Sequence, residues 1–419
     1  MSSNPERRAW RILVIAFAIF IVICALAAYV TQWFVFRSMV ELQVSLKTAR
    51  GTVQVTSPTT GDAIAVTDRR DNLELNTLLQ TDSTSQALVT FSDTRTGEVI
   101  ATMVLHRDSQ VSITQAAAPR YGANRSPYSI TVEGAAGRCE TLILEQADRP
   151  LRVQVKTTHA LVRADSPGQF IVDTIGEWTT VSVRSGTVEV LSLSGSTPIA
   201  LDSGKRVVVG QDNEQPEIEP TARSIVSDGL FEQISGAGWT FYNDAETDPP
   251  GSIYNAVIDR RPVVVFDRSQ ENWPGIRLGH GETGLVQSIE MDVSDYPTLE
   301  LRATFYVDEQ SLSTCGQRGS ECPMMFRIDY TDVQGGERSY ITGFYALHDP
   351  AAAYPLACDT CRTDHERINP DSWYTFESGN LMERLPADLR PAYIREIKVY
   401  ASGHAYKVYL SEIELLVSE

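Results

Sequence analysis

Four cysteines offer the most specific chemistry in this chain: Cys315 and Cys322, spaced C-x6-C, and Cys358 and Cys361, spaced C-x2-C. Both pairs lie among Gly, Ser, Asp and Pro, which places them on loops. In an exported protein they read first as two disulfides, with three pairings open. Four thiolates also match a closed zinc site, although only the second pair has zinc-knuckle spacing. A redox-active Cys358-Asp-Thr-Cys361 needs a helix N-terminus to lower the thiol pKa, and no helical pattern follows it. Cys139 stands alone and Cys24 lies within an apolar run.

Catalytic signals are absent from the pattern. The histidines at 106, 159, 280, 348, 365 and 404 form no i, i+4 pair, and there is no G-x-S-x-G elbow, phosphate-cradling glycine loop or HExxH helix. Carboxylates are abundant, but abundance does not set the separation that a glycosidase pair needs. Residue chemistry therefore points to binding rather than catalysis. Trp239, Trp273 and Trp373 carry flat rings that stack on sugars or fill cores. Trp273, in Gln270-Glu-Asn-Trp-Pro-Gly275, is the surface candidate for ligand binding because Pro274 and Gly275 mark a loop. The formal charge of −18 excludes a phosphate backbone as partner and leaves divalent cations or neutral polar ligands such as glycans.

The elements that must position these residues begin with Ile12 to Val30, nineteen residues without a charge. That run suffices for a membrane span of roughly 20 residues and exceeds the 7–15 of a signal-peptide core. Arg7, Arg8 and Arg11 precede it and only Arg37 follows closely, so the positive-inside rule keeps the N-terminus cytoplasmic. The expected order is a short cytoplasmic tail over 1–11, an anchor over 12–36, a β domain over 37–210, a linker over 211–226 and a β-sandwich over 227–419. Beyond the anchor the chain reads as mainly β, because runs rich in Val, Ile, Thr and Leu recur between turn residues. Only Met39 to Thr48 carries a hint of helical spacing. Gly51-Thr-Val-Gln-Val55 is echoed by Gly186-Thr-Val-Glu-Val190. The acidic, Pro-containing segment Gly210 to Thr221 implies an extended linker between domains that fold independently. Leu230 to Ile234 is the expected first strand of the sandwich and Tyr406 to Leu416 its last.

Leu78 to Asp93 with Leu105 to Ile113, and then Pro150 to Val162 with Pro167 to Asp173 and Val181 to Val190, resemble the two halves of a FecR-type domain. The resemblance covers roughly 160 residues and implies an extracytoplasmic β domain on a single-pass anchor. In that family the signal runs from an outer-membrane transporter to a sigma factor through a folded cytoplasmic domain, which a tail of about ten residues is too short to form. Asp228 to Trp239 and Tyr406 to Leu416 resemble the first and last strands of galactose-binding-like jelly rolls found in carbohydrate-binding modules. That likeness implies a glycan ligand and a structural calcium, with Glu232 and Glu412 as its side-chain candidates. An envelope scaffold that engages other proteins is the alternative function, and a glycan-processing enzyme the third.

Overall fold

The computed structural model describes residues 5–145, 149–195, 197–210, 216–232, 238–244 and 249–418, the side chains of Pro5 and Arg7 excepted. Pro5–Arg37 is one helix, long and apolar enough to cross a membrane. From Ile12 at 69% to Trp33 at 52% its apolar side chains are exposed all round, so no described part of the chain covers them before the last turn. The apolar stretch alone is about 28 Å long, close to the hydrocarbon thickness of a bilayer. Where the helix ends, Phe34 meets Tyr121 edge-on, Arg120 lies over the Phe34 ring, and Asn124 donates to the Ser38 carbonyl. These contacts seat the first β domain directly on the helix.

Met39 to Thr48 is not helical. It forms the strands Met39–Glu41 and Gln43–Arg50. Within the second, Val44, Leu46 and Thr48 alternate inward while Gln86–Ser92 supplies the hydrogen-bond ladder, and that period of two overrides the weak spacing of three and four.

Two sheets build the first domain, joined by the long strand Tyr128–Ile143. Its first half pairs with Gln110–Pro119 and, in parallel, with Leu151–Thr157; its second half pairs with Val99–Leu105 and Gly168–Ile175 in the other sheet. Strand order is nearly mirrored about this shared strand, which explains the repeated pentapeptide. Gly51 follows Gln43–Arg50 in one sheet and opens Val53–Thr56 in the other; Gly186 does the same between Trp178–Ser185 and Thr187–Ser192. Both glycines have positive φ, 69° and 79°, and a Cβ would run into Ser85 or into the Pro167 carbonyl. The echo is thus two copies of one sheet-switching corner.

The second domain is a sandwich of two largely antiparallel sheets. One runs Ser252–Ile258, Arg261–Arg268, Tyr406–Ser418, Thr298–Gln310, Trp373–Glu377; the other runs Trp239–Asn243, Gly281–Asp292, Pro391–Gly403, Met324–Asp332, Glu337–Tyr345, Glu366–Arg367. Phe305, Phe326, Phe344 and Phe376 fill the space between them with ring centroids 4.8–6.4 Å apart. The expected first strand at Leu230 to Ile234 differs. Leu230–Glu232 is a turn, and Gln233 and Ile234 lie outside the described residues. Asp228 and Phe231 take positive φ, which does not fit regular strand pairing, and the turn plugs Phe231 into the core against Trp239 at 5.6 Å. The segment between the domains is also less free than its composition implies. Ile218–Pro220 pairs with Lys205–Val207 of the first domain, and Arg223–Ser224 pairs with Leu416–Val417 of the second.

Candidate functional site: the groove between the two β domains

The sandwich turns the outer face of one sheet onto the first domain. Leu88 and Val104 from below pack against Val263, Val265, Trp373 and Tyr409 from above. Around this small apolar contact the interface is charged and buried. Arg302 pairs with Glu140 across it and reaches Glu377 at 3.5 Å; Arg138 donates to Glu377 at 2.7 Å, and Arg184 to Glu412 at 2.6 Å and to Glu414. Gln86 makes a paired contact with the Thr375 backbone, donating to its carbonyl and accepting from its N–H, both at 2.9 Å.

Burial alone would raise the Glu140 carboxyl, but the Arg302 charge and the His106 hydrogen bond override it and hold Glu140 well below the usual carboxylate range. Arg302 shows the counterpart: its own burial is outweighed by Glu140 and its guanidinium is pushed higher still.

Beside this network opens a groove of about 600 Å³ lined from both domains. Its aromatic wall is Trp373 and Tyr306, 5.6 Å apart, with Tyr409 continuing the row 5.5 Å beyond. The Trp373 indole N–H donates to Asp259 at 3.0 Å, and the Arg261 guanidinium lies over the ring at 5.2 Å while donating to Thr102 of the first domain at 2.7 Å. Asp259 and Arg260 form the two-residue turn of the hairpin Ser252–Arg268 with φ of 50° and 63°, the primed-turn geometry that normally selects Asn or Gly. Arg260 in turn donates to the Val99 and Glu145 carbonyls. A left-handed non-glycine pair is thereby held where the hairpin meets the first domain. Asp371, also at positive φ, lines the groove beside Tyr306, and Lys47, Arg69, Thr90 and Ser92 complete a polar rim. Burial first, then Asp371, Asp308 and Asp259, pushes the Tyr306 hydroxyl up to about 12, so it remains a donor. The assembly offers hydrogen-bond partners of both kinds beside ring faces.

Of the three tryptophans, Trp373 is the one that lines this groove. Trp239 is core, its N–H held by the Asp228 carbonyl. Trp273 lies on the expected loop, half-buried, its backbone N–H donating to the Ser269 carbonyl, and does not line the groove. Glu232 is exposed, whereas Glu412 is buried with its carboxylate held by Arg184 and near Thr304. Among the described residues the His, Cys, Asp and Glu clusters with metal-ligand spacing contain neither of them. The cysteines pair Cys315–Cys322 and Cys358–Cys361. Cys139 is a free, fully buried thiol that burial pushes up to about 12, an unreactive position. Sequence reasoning missed Asp259, Arg261, Tyr306 and Asp371. The adjacent Asp259-Arg-Arg261 between two apolar runs was their only signal.

No family model matches the chain, and no curated protein matches it. Among solved structures, a candidate anti-sigma factor from Parabacteroides distasonis ATCC 8503 aligns at 19% identity over 34% of this chain and 59% of that one, with a TM-score of 0.25; the chain thus spans less than two thirds of that factor's length. A family 11 carbohydrate-binding module from Clostridium thermocellum, in complex with a β-1,3-1,4-mixed-linked tetrasaccharide, aligns at 12% identity over 47% of this chain and 96% of that one, TM-score 0.27. The module TmCBM61, in complex with β-1,4-galactotriose, aligns at 12% identity over 47% of this chain and 99% of that one, TM-score 0.26.

Proposed function

We propose that this chain is a membrane-anchored extracytoplasmic binding protein, not an enzyme, that takes a neutral glycan in the groove between its two β domains. The observation that carries the reading is Tyr306, half-buried in the groove beside the buried Trp373, with Asp259 and Asp371 among the lining residues: a sugar C–H face stacks on the phenol ring while hydroxyls bridge to carboxylates, Thr90 and Ser92. A glycan array probed with detergent-solubilised full-length protein tests it. Binding is expected for the whole protein, and Tyr306→Ala is expected to weaken it at least tenfold while the protein keeps its circular-dichroism spectrum and a cooperative, if lower, melting transition, since a central aromatic contact is worth about 2 kcal/mol or more. Retained binding in Tyr306→Ala would remove the groove from the assignment. A scaffold role is supported by the hairpin tip Ile175–Trp178, where both side chains are more than half exposed; an array without signal would favour it.

The cytoplasmic placement of the N-terminus rests on Arg7, Arg8 and Arg11 preceding the apolar run against Arg37 alone following it closely. Alkaline phosphatase fused after Glu419 is expected to be active in a bacterial host. A stable but inactive fusion would reverse the topology.

A further inference from the structure

Away from the groove, the loops that carry Cys315–Cys322 and Cys358–Cys361 close over one histidine. His365 is 5% exposed, and Cys315 and Cys322 are fully buried. The His365 Nε2 lies 2.6 Å from the Gly319 carbonyl, an acceptor only, so Nε2 carries the ring proton. Nδ1 is then a bare lone pair, and it has no hydrogen-bond partner. A buried acceptor left without a donor is costly unless something else uses it. Its surroundings say what that is: a Cβ on Gly343 would strike both the Cys322 sulfur and His365 Nδ1, which places these two atoms side by side over the glycine. The Sγ atoms of Cys315 and Cys322 and a ring nitrogen of His365 all lie within 4.8 Å of one another. Tetrahedral zinc, with Zn–S of about 2.3 Å and Zn–N of about 2.0 Å, draws such atoms to roughly 3.5–3.8 Å apart. The Gly319 carbonyl on Nε2–H holds the ring in place from the side away from the metal, as metal-bound histidines normally require.

We propose that Cys315, Cys322 and His365 Nδ1 form a redox-gated seat for a thiophilic divalent cation of the zinc class. In the oxidised protein the disulfide occupies the two sulfurs. A small dithiol reduces it, giving two cysteine thiols and the oxidised cyclic disulfide of the reductant; the cation then binds two thiolates and the imidazole lone pair and releases two protons. The cation takes over the loop cross-link that the disulfide provided. Cys358–Cys361, on the Nε2 side with Cys361 Sγ 3.8 Å away, is not needed for this seat.

The test uses detergent-purified full-length protein, reduced with dithiothreitol, desalted anaerobically and titrated with Co²⁺ as the probe. Reduced wild type is expected to bind one equivalent and to show thiolate-to-cobalt charge-transfer absorption, while oxidised protein shows none. Cys358→Ser/Cys361→Ser retains the band. His365→Ala and, separately, Cys322→Ser weaken binding at least tenfold or abolish it. Absence of the band in reduced wild type, or undiminished binding in His365→Ala, overturns the proposal. If either single variant misfolds by circular dichroism, the comparison of reduced with oxidised Cys358→Ser/Cys361→Ser, which keeps only the Cys315–Cys322 pair beside His365, decides: no band in its reduced form overturns the proposal.

Discussion

Arg302→Met is expected to separate the two β domains without unfolding either. The change leaves the apolar cores intact, because each domain has its own large cluster: Val44, Val89 and Val172 belong to one, Phe305, Phe326 and Ile397 to the other. What it removes is the only guanidinium paired with Glu140 among the contacts described, leaving that buried carboxylate with the Gln169 amide and His106 at 3.4 Å. Breaking a buried pair from one side costs about 3–5 kcal/mol. The protein escapes most of that cost by undocking, since Glu140 regains water once the sandwich lifts off. The expected readout is therefore a larger radius of gyration by X-ray scattering, cleavage of the Gly210–Thr221 segment at least tenfold faster, and two thermal transitions in place of one. The double variant Glu140→Gln/Arg302→Met, which strands no charge, should recover much of the docking. A single transition at an unchanged midpoint in Arg302→Met would show that this pair does not hold the domains together.

That interface also marks where sequence reading stopped. The helix was legible because nineteen consecutive residues carry no charge, and most strands because a period of two survives in stretches such as Gln110–Pro119 and Leu151–Thr157. The loop placement of the cysteines was legible from turn residues, but their pairing was not, since it depends on which loops meet. Ion pairs such as Glu140 with Arg302, 162 residues apart, leave no local trace. Each carboxylate or arginine looks like a solvated strand residue until topology sets its sheet face. The same applies to the groove: Tyr306 and Trp373 read as alternating strand aromatics, and only the pairing of Thr298–Gln310 with Trp373–Glu377 sets them side by side. The acidic linker was read correctly as polar, but composition says nothing about whether the surfaces that it joins are complementary.

Docking is expected to strengthen on mild acidification and to fail in strong acid, because the interface holds carboxylates displaced in opposite directions. Glu140 and Glu377 lie below their ordinary range: burial opposes this, but Arg302 for the first, and His106, Arg138 and Arg302 for the second, prevail. A depressed carboxylate contributes docking stability that is complete above its free pKa of about 4.3 and is lost as pH falls through the docked value. Asp173, Glu300 and Glu414 are raised, each first by burial; Glu377 adds to the rise in Asp173 and Glu300, and Glu412 to that in Glu414, with Arg138 and Arg184 opposing. For these the sign reverses: the docked state binds the proton more tightly, so docking gains as pH falls from neutral through the raised values. Separation of the domains, followed by fluorescence transfer between one dye on each, should thus pass through a minimum in mildly acid solution and rise steeply below about pH 4. Glu414→Gln gives up the Arg184–Glu414 ion pair but also removes a buried charge beside Glu412 while leaving the Arg184–Glu412 bond at 2.6 Å; because burial and Glu412 outweigh Arg184 at Glu414, the change should tighten docking at neutral pH and flatten the mildly acid limb. A separation that only increases from neutral pH downward, in wild type and Glu414→Gln alike, would mean that the raised carboxylates do not govern the interface and that Glu140 and Glu377 alone set its pH response.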